Sequence, residues 1–251
     1  MKHLLPLFVI IFLASCAKDI QVVTVSSPIL QNDTLLRQSN DTFEIVYNLF
    51  DENGLVSFSI YNKSNVPLYV DWKRSAYIVG TQKTDFWEDR SDISMVTTGR
   101  NIDWLNWYGR TKNYTTGSVV KPEQVTFIPP KTSISMARFR IGGAYPVSDY
   151  ADSTLDIKAK KKHRKAKTRT FTETNTPKTF RNFLTLSLKH DFSQEFYVDH
   201  SFWVNHIMVM NEKTFAGPMQ YEEQNGFYYS TDYSFPYSKP NRFYLKPVYL
   251  Y

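Results

Sequence analysis

The fold class is decided by residues 42–80, which read TFEIVYNLFDENGLVSFSIYNKSNVPLYVDWKRSAYIVG. Successive side chains on a β-strand point to opposite faces, so alternation between apolar and polar residues indicates a half-buried strand. In the first strand the apolar residues on one face are Phe43, Ile45, Tyr47 and Leu49, and in the second they are Val56, Phe58 and Ile60. Asn53-Gly54 between them is a strong hairpin signal. Two neighbouring antiparallel strands are therefore expected here.

The same period of two recurs along the rest of the chain. Further candidate strands are 66–72, 76–79, 124–128, 133–141, 168–172, 183–189, 195–210 and 226–231. No window of 12 or more residues shows a convincing helical period. Short strands separated by turn signals are typical of a β-sandwich. We therefore expect an all-β fold with negligible helix and with Phe58 and Trp203 in its core.

A turn motif in the same region carries a family resemblance. Residues 62–67 read Asn-Lys-Ser-Asn-Val-Pro, and the strand after them ends in Asp71-Trp72 and a basic pair. This arrangement resembles a family of uncharacterised surface lipoproteins, and FYVDHSFWVNHI at 196–207 is similar to the last core strand of that family. The resemblance implies an antiparallel Ig-like β-sandwich with long loop insertions, and it implies no activity. Pro67 favours a strand start or an edge position, and we expect Asn62 and Ser64 to hold the turn through side-chain to backbone hydrogen bonds.

The first sixteen residues, MKHLLPLFVIIFLASC, have the pattern of an export signal. Lys2 precedes about eleven apolar residues, whereas a membrane-spanning helix needs roughly 20. Leu13-Ala14-Ser15-Cys16 resembles the lipobox of bacterial lipoproteins. The resemblance implies cleavage before Cys16, attachment of a diacylglycerol to its thiol, and acylation (palmitate-type) of the new amino group. An ordinary signal peptide with a chance cysteine is the alternative.

The residues after the lipobox bear on localisation. The residue following Cys16 is Ala17, so the inner-membrane retention signal of enteric lipoproteins is missing. Lys18-Asp19 resembles a weak form of the surface-export signal of some Gram-negative bacteria. We expect a lipid-anchored protein of the bacterial outer membrane, facing outward.

Length and composition define the domain organisation. The chain has 251 residues with 42% apolar residues and 16% aromatic residues, enough to form a buried core and to exclude intrinsic disorder. We expect a signal peptide over 1–15, an anchor and tether over 16–19, and a single β-sandwich domain over 20–251. Insertions are expected near 82–117 and 144–167, where the strand rhythm breaks.

The net charge of +6 comes from one basic block. Residues 158–169 hold eight Lys or Arg and no acid, and the rest of the chain is near neutral. Dense basic residues bind phosphate or acidic polysaccharide, and the candidate contacts are Lys160, Lys161, Lys162, Arg164 and Lys165. A solvated hairpin tip is the alternative. Because no aromatic residue interleaves the block and the protein is exported, nucleic acid is not an expected partner.

A second candidate binding region is the aromatic segment around Trp104, Trp107 and Tyr108. Sugar rings pack on such side chains, and nearby Asp103 and Asn106 would reach the hydroxyls. The alternative is that these rings close one open end of the sandwich. The Tyr-rich stretch 221–251 is expected to be extended chain docked on a sheet face.

Motifs for catalysis or metal binding are missing from the sequence. There is no G-x-S-x-G, H-E-x-x-H, P-loop or G-x-G-x-x-G pattern, and the single cysteine is assigned to lipidation. His200 and His206 would share one strand face about 20 Å apart, too far for one metal ion. We therefore expect no cofactor, no metal and no catalysis, and a binding module for an envelope polysaccharide or a partner envelope protein. The alternative is a carbohydrate-active hydrolase on the same scaffold, which would need two carboxylates across a cleft.

Lipidation can be tested by changing Cys16. Cys16→Ala should leave the precursor unprocessed or free of the membrane fraction, because the thiol that takes up the lipid is gone. Incorporation of radiolabelled palmitate and cell fractionation measure this, with Ser15→Ala, which keeps a small residue before the cysteine, as the control. Normal palmitate labelling of the Cys16→Ala protein would contradict the lipobox assignment.

Overall fold

Two antiparallel β-sheets form most of the computed structural model, which describes residues 19–88, 92–98, 114–120, 123–143, 145, 153–159, 162–224 and 227–246. The strands of these residues are, in chain order, β1 (Asp19–Ser26), β2 (Leu30–Gln31), β3 (Leu35–Ser39), β4 (Phe43–Asn48), β5 (Leu55–Asn62), β6 (Leu68–Val79), β7 (Gln82–Asp85), β8 (Asp92–Thr98), β9 (Tyr114–Val120), β10 (Val125–Ile128), β11 (Ser133–Arg140), β12 (Ser153–Ala159), β13 (Lys162–Thr170), β14 (Thr179–Ser187), β15 (Glu195–Asn211), β16 (Met219–Gln224), β17 (Phe227–Tyr233) and β18 (Arg242–Leu245). One short helix, α1 (Glu212–Ala216), follows β15. The described chain is nearly all β, as the alternation predicted.

The larger sheet has nine strands and the smaller has five. The order in the larger sheet is β10-β6-β14-β15-β1-β18, with β7 beside β6 and the β12–β13 hairpin beside β15. The smaller sheet has the order β11-β5-β4-β3-β2. Two further hairpins, β8–β9 and β16–β17, are separate two-stranded sheets. The two main sheets pack together through their apolar faces.

The main core lies between these two sheets and follows the predicted alternation. Strands β4 and β5 bury Phe43, Ile45, Tyr47, Val56, Phe58 and Ile60. Facing them from β14 and β15 are Phe180, Leu184, Leu186, Val198, Phe202 and Val204. The ring centroids of Tyr47 and Phe202 are 5.1 Å apart, and those of Phe180 and Phe202 are 4.9 Å apart. The prediction that Phe58 is a core residue is confirmed, because 2% of it is exposed.

Strand β15 pairs with three other strands along its 17 residues. Its first half pairs with β14, its second half with β13, and its opposite edge with β1. Thr24 of β1 lies opposite His206, while the next residue, Val25, lies opposite Val204, so Asn205 is an extra residue on β15. Such a bulge exchanges the faces to which the following side chains point.

The direction of side chains on β15 overturns two sequence predictions. His200 lies on the core side of the sheet. His206 has the same side-chain direction as Met208 and Met210, which pack on the outer side. The two histidines therefore do not share a face. Trp203 is not in the main core either. It precedes the bulge at an outward position and lines a pocket on the outer side.

A second apolar cluster covers one end of the larger sheet on its outer side. Its buried members are Ile20, Val22, Ile157, Ala166, Met208, Met210 and Phe215 of α1. Phe50, Phe235, Tyr237 and Tyr244 pack against it. The predicted tail docked on a sheet face is found for Phe235 and Tyr237. The rest of the described stretch differs, because residues 219–233 form the β16–β17 hairpin and β18 is an edge strand of the larger sheet. The larger sheet is therefore covered on both sides at this end.

The Asn53-Gly54 turn joins β4 to β5 as predicted, with φ angles of 63° and 66°. It is wider than a two-residue hairpin, since the last paired residues of the two strands are Asn48 and Ser57. The turn is held from outside by a hydrogen bond from the Asn53 N–H to the carbonyl of Tyr244 (2.8 Å). A Cβ at Gly54 would lie 2.8 Å from Cγ of Phe243, so glycine is required.

Several strand bounds differ from the sequence prediction. The two candidates at 66–72 and 76–79 form one strand, β6. Both parts pair with β14, and the register shifts over residues 72–75 between them. Pro67 directly precedes this strand, as expected of a strand start. Strand β13 begins at Lys162, six residues before the predicted start, so most of the basic block is strand.

Both predicted insertions contain strands. Residues 82–85 pair with β6, and β8 pairs with β9 across residues 99–113, which lie outside the described residues. The β12–β13 hairpin joins the larger sheet, with Lys167–Thr170 opposite His206–Val209. No helix among the described residues is long and apolar enough to cross a membrane.

Asn62 ties together two crossings between the sheets. Its side-chain N–H₂ donates to the carbonyls of Val66 (2.8 Å) and Ile128 (3.1 Å), and its side-chain oxygen accepts from the Ser64 N–H (3.0 Å) and hydroxyl (2.7 Å). The predicted turn-holding role of Asn62 and Ser64 is confirmed. The β5–β6 and β10–β11 connections each pass from one sheet to the other, and Asn62 bonds to both.

Removing this side chain should destabilise the fold. Asn62→Ala should lower the free energy of unfolding by about 2–3 kcal/mol, because it leaves buried carbonyl groups without a donor. Asn65→Ala is the matched control in the same turn, where Asn65 is exposed, and should change it by less than about 0.5 kcal/mol. Urea unfolding of both variants measures the difference, and equal effects would show that the Asn62 bonds contribute nothing specific.

Candidate functional site

Most of the predicted binding residues lie outside the described residues. These are Cys16, Trp104, Trp107, Tyr108, Lys160 and Lys161. Lys162 and Arg164 lie on β13, where the structure describes the backbone alone. Lys165, also on β13, is exposed. The proposed contacts of these residues stay predictions.

The exposure of the side chains in the basic block alternates along β13. Lys165, Lys167 and Arg169 have the same parity, and the first two are exposed. The intervening Ala166 and Thr168 are buried. Over residues 165–169 the strand therefore presents its basic side chains on one face, while Ala166 on the other face belongs to the second apolar cluster.

A buried polar network crosses the main core. His200 Nδ1 and the Tyr47 hydroxyl are hydrogen bonded at 2.7 Å, and the Asn182 side-chain N–H₂ donates to the same hydroxyl at 2.7 Å. The other ring nitrogen of His200 contacts the side-chain oxygen of Gln38. Because Tyr47 belongs to the smaller sheet and His200 and Asn182 to the larger, this network fixes how the sheets align.

Burial controls the titration of this network. It lowers the pKa of His200 to about 4, although the nearby charge of Asp199 opposes the shift. It also raises the pKa of the Tyr47 hydroxyl well above its ordinary value. Both groups are thus uncharged at neutral pH, and we assign the network a structural role.

The outer side of the larger sheet carries exposed aromatic side chains at the end away from the second cluster. We call Tyr69, Phe127, Phe183 and Tyr197 the outer aromatic patch. Tyr197 is 56% exposed and Phe127 is 50% exposed. Phe183 and Tyr197 are stacked, with ring centroids 5.5 Å apart, and Tyr69 lies 5.7 Å from Phe127. Exposed rings held by neighbours are suited to contact with a ligand.

Two ion pairs lie beside these rings. Arg181 and Asp199 form a two-point pair across β14 and β15, and Arg74 contacts Glu195 at 2.5 Å. The Tyr197 hydroxyl donates to Glu195. This bond, followed by that from Arg74, holds the pKa of the Glu195 carboxyl below its ordinary value. The patch therefore combines apolar rings with fixed hydrogen-bonding groups.

Two small pockets open near these surfaces. One, of about 180 Å³, is lined by Trp203, Phe180, Arg181 and Glu173. The other, of about 200 Å³, lies beside the basic strand and is lined by Lys165, Lys167, Asp19 and Thr214. Each has one carboxylate in its lining, so neither pocket brings together the pair of acids that glycoside hydrolysis requires. Within the described residues no three His, Cys, Asp or Glu side chains cluster as metal ligands would.

Sequence reasoning missed the outer aromatic patch. The signal was present in β15, where Tyr197 and Trp203 occupy positions that alternate with the core residues Val198, His200 and Phe202. Several aromatic residues at outward positions of neighbouring strands indicate a binding surface, whereas a single one does not.

Comparisons with known proteins add no family. The chain matches no family model, no curated protein and no solved structure. The site is therefore interpreted from its residues alone.

The buried histidine makes stability depend on pH. Because the pKa of His200 in the folded state is about 4 and its ordinary value is near 6.5, the unfolded chain binds the proton first on acidification. The neutral ring makes its full contribution to the free energy of unfolding above pH 6.5. This contribution, roughly 3 kcal/mol, is lost as the pH falls toward 4.

Urea unfolding between pH 7 and 4 should show this loss, and His200→Gln should show a shallower decline. His190→Gln, a change on an exposed loop, is the control and should keep the parent's slope. Burial also lowers the pKa of His206, so His206→Gln accounts for a further part. A His200→Gln protein with the parent's full pH dependence would contradict the assignment.

Proposed function

We propose that the protein is a lipid-anchored lipoprotein of the bacterial outer membrane whose Ig-like β-sandwich is a non-catalytic binding module. The lipobox-like sequence ending at Cys16 supports the anchor. Strand β1 begins at Asp19, only three residues later, so the fold starts next to the proposed acylated residue. Two packed antiparallel sheets and the Asn62 turn support the Ig-like assignment.

The outer aromatic patch is the observation that carries the binding function. Phe127 and Tyr197 are exposed, yet contacts with the half-buried rings of Tyr69 and Phe183 hold them, so little side-chain entropy is lost when a ligand covers them. The surface is an open sheet face and not a closed cleft. Such a face suits an extended chain, and sugar rings stack on Tyr and Phe while hydroxyls bond to groups such as Arg181 and Asp199.

We therefore take an envelope or host polysaccharide as the ligand, with a partner envelope protein as the other candidate. The hydrolase alternative has weaker support, because each of the two pockets contains one carboxylate. Outward orientation on the outer membrane would bring the patch to such polymers. The loop rings Trp104, Trp107 and Tyr108 and the basic block would extend the binding surface.

Removing exposed rings should weaken polysaccharide binding. The double change Phe127→Ala with Tyr197→Ala should reduce the affinity measured by affinity electrophoresis about thirtyfold, because each ring contributes about 1 kcal/mol. Tyr61→Ala is the matched control, since Tyr61 is an exposed tyrosine on the smaller sheet.

A panel of neutral and acidic polysaccharides should be tested with the parent first. Retention that is equal in the parent and the double variant would place the ligand elsewhere. If no polysaccharide retards the parent protein, the proposed ligand class is wrong.

A further inference from the structure

The pocket of about 180 Å³ on the outer side of the larger sheet is formed by long and short side chains that lie next to each other. Thr179 is paired directly with Trp203, and Ser201 is paired directly with Arg181, so each long side chain stands beside a short one. Gly80, which has no side chain, also belongs to the lining. The short residues leave a depression that the indole and the guanidinium group border. We call it the Trp203 pocket.

The loop between β13 and β14 carries Glu173 to the Trp203 pocket and is fastened to β15 directly after Trp203. The Phe171 N–H donates to the carbonyl of Asn205 (2.7 Å), and the Thr176 hydroxyl donates to the carbonyl of the residue before it (2.7 Å). Both anchor points lie within two residues of the indole. Because one framework holds the indole and the carboxylate, little conformational entropy is lost when a ligand binds there.

The polar groups of the Trp203 pocket are available to a ligand. Arg181 binds Asp199 through Nε and Nη2, which leaves Nη1 to donate to another group. Glu173 is exposed, and its carboxylate has no hydrogen bond or ion pair among the described residues. The same holds for the hydroxyls of Thr179 and Ser201. Donors and acceptors beside an aromatic face suit a sugar ring, whose C–H face packs on the indole while its hydroxyls bond to the polar groups.

The charges of the Trp203 pocket indicate an uncharged ligand. Among the lining residues the cation is Arg181, which is already paired with Asp199, whereas the acid Glu173 has no partner in the described part of the chain. An anionic ligand would be repelled by Glu173 and would compete with Asp199 for Arg181. The volume is below the 300–1,000 Å³ or so of pockets that enclose drug-sized molecules, so the space suits a single sugar ring.

The Trp203 pocket adjoins the outer aromatic patch along β14 and β15. Arg181 lines the pocket, and its partner Asp199 is paired directly with Phe183 of the patch. Asp199 precedes Trp203 by four residues, so Phe183 and Trp203 lie at levels of the sheet about 13 Å apart. One sugar ring is about as large as one aromatic ring. A ligand that contacts both places is therefore a chain of several sugar units.

We propose that the Trp203 pocket binds one uncharged sugar unit of a linear glycan that continues along β14 and β15, over the Arg181–Asp199 pair, to the outer aromatic patch. The indole packs on one face of the sugar ring, Glu173 accepts hydrogen bonds from its hydroxyls, and Arg181 Nη1 donates to one of its oxygens. This inference rests on the polysaccharide-binding function proposed above and specifies its ligand.

The test is isothermal titration of the full-length chain, purified in a nonionic detergent, with four hexasaccharides. Cellohexaose, laminarihexaose and mannohexaose are neutral, and hexagalacturonate is acidic. At least one neutral hexasaccharide should bind, and about 0.5 M salt should not weaken it, because the ligand has no charge to be screened. Tighter binding of hexagalacturonate than of every neutral hexasaccharide would overturn the assignment of an uncharged ligand.

The length of the ligand tests the connection between the two places. The disaccharide of the neutral hexasaccharide that binds should bind about tenfold more weakly, because it is too short to contact both the Trp203 pocket and the outer aromatic patch. Equal affinity of the disaccharide and the hexasaccharide would refute the extended site.

Two variants locate the sugar unit in the Trp203 pocket. Trp203→Ala and Glu173→Ala should each weaken binding of the neutral hexasaccharide about fivefold, because a stacked ring or a charge-assisted hydrogen bond is lost. Glu173 is exposed on a loop, so its variant keeps the test valid if Trp203→Ala fails to fold. Tyr61→Ala and Asp41→Ala are the matched controls and should leave the affinity unchanged, since one removes an exposed ring and the other an exposed acid at the smaller sheet.

The outcomes separate the Trp203 pocket from the proposed function. Unchanged affinity in both pocket variants would overturn this proposal, and a loss in the double variant of Phe127 and Tyr197 would then support the patch alone. A loss in the pocket variants without a loss in that double variant would support the pocket and contradict the patch. If none of the neutral hexasaccharides binds, the proposed ligand of the pocket is wrong, whereas the panel of polysaccharides decides the proposed function separately.

Discussion

Register in strand β15 is the constraint on which both hydrophobic layers depend. Before the bulge at Asn205 its even-numbered side chains enter the core between the sheets, and after the bulge Ile207 does so while Met208 and Met210 turn outward. The loop before β14 holds the bulge, since the Phe171 N–H donates to the carbonyl of Asn205 (2.7 Å) and the Lys178 carbonyl accepts from the Val204 N–H (3.0 Å). One extra residue thus allows a single strand to serve a core on each side of the sheet.

Polar side chains inside the fold determine how the two sheets fit together. Apolar contacts between sheets are tolerant of small shifts, whereas a buried hydroxyl or amide loses its partner if the sheets slide. Tyr47 and His200 meet in the middle of the sandwich, and Asn62 joins the crossings at its end. These polar groups fix the alignment of the two sheets, which the apolar rings alone do not determine.

The sequence was sufficient to predict the fold class because the alternation in β4 and β5 is regular and the Asn62 turn is held by hydrogen bonds of its own side chains. It was insufficient where tertiary pairing overrides the local pattern. A bulge adds one residue without any mark in composition, so the face of His206 differs from the prediction. Trp203 is large and apolar, yet plain alternation with Phe202 and Val204 turns it outward. The basic block reads as solvated chain because lysine and arginine dominate it, yet Ala166 and Thr168 are buried against β15. The outer aromatic patch and the pocket beside the basic strand bring together residues that are far apart in the chain, which spacing alone cannot reveal.

The pairing of β1 has a consequence for the order in which the molecule is built. Val22 and Val23 of this first strand lie between β15 and β18, whose matching residues are about 185 to 220 positions later in the chain. Loop closure over such distances is slow, and until it happens the apolar residues of β1 have no neighbours. The N-terminal strand therefore completes its contacts last, after nearly the whole chain has emerged from synthesis. A partly synthesised chain therefore cannot close the larger sheet, because β1 has no partner strand until residues 203–211 are present.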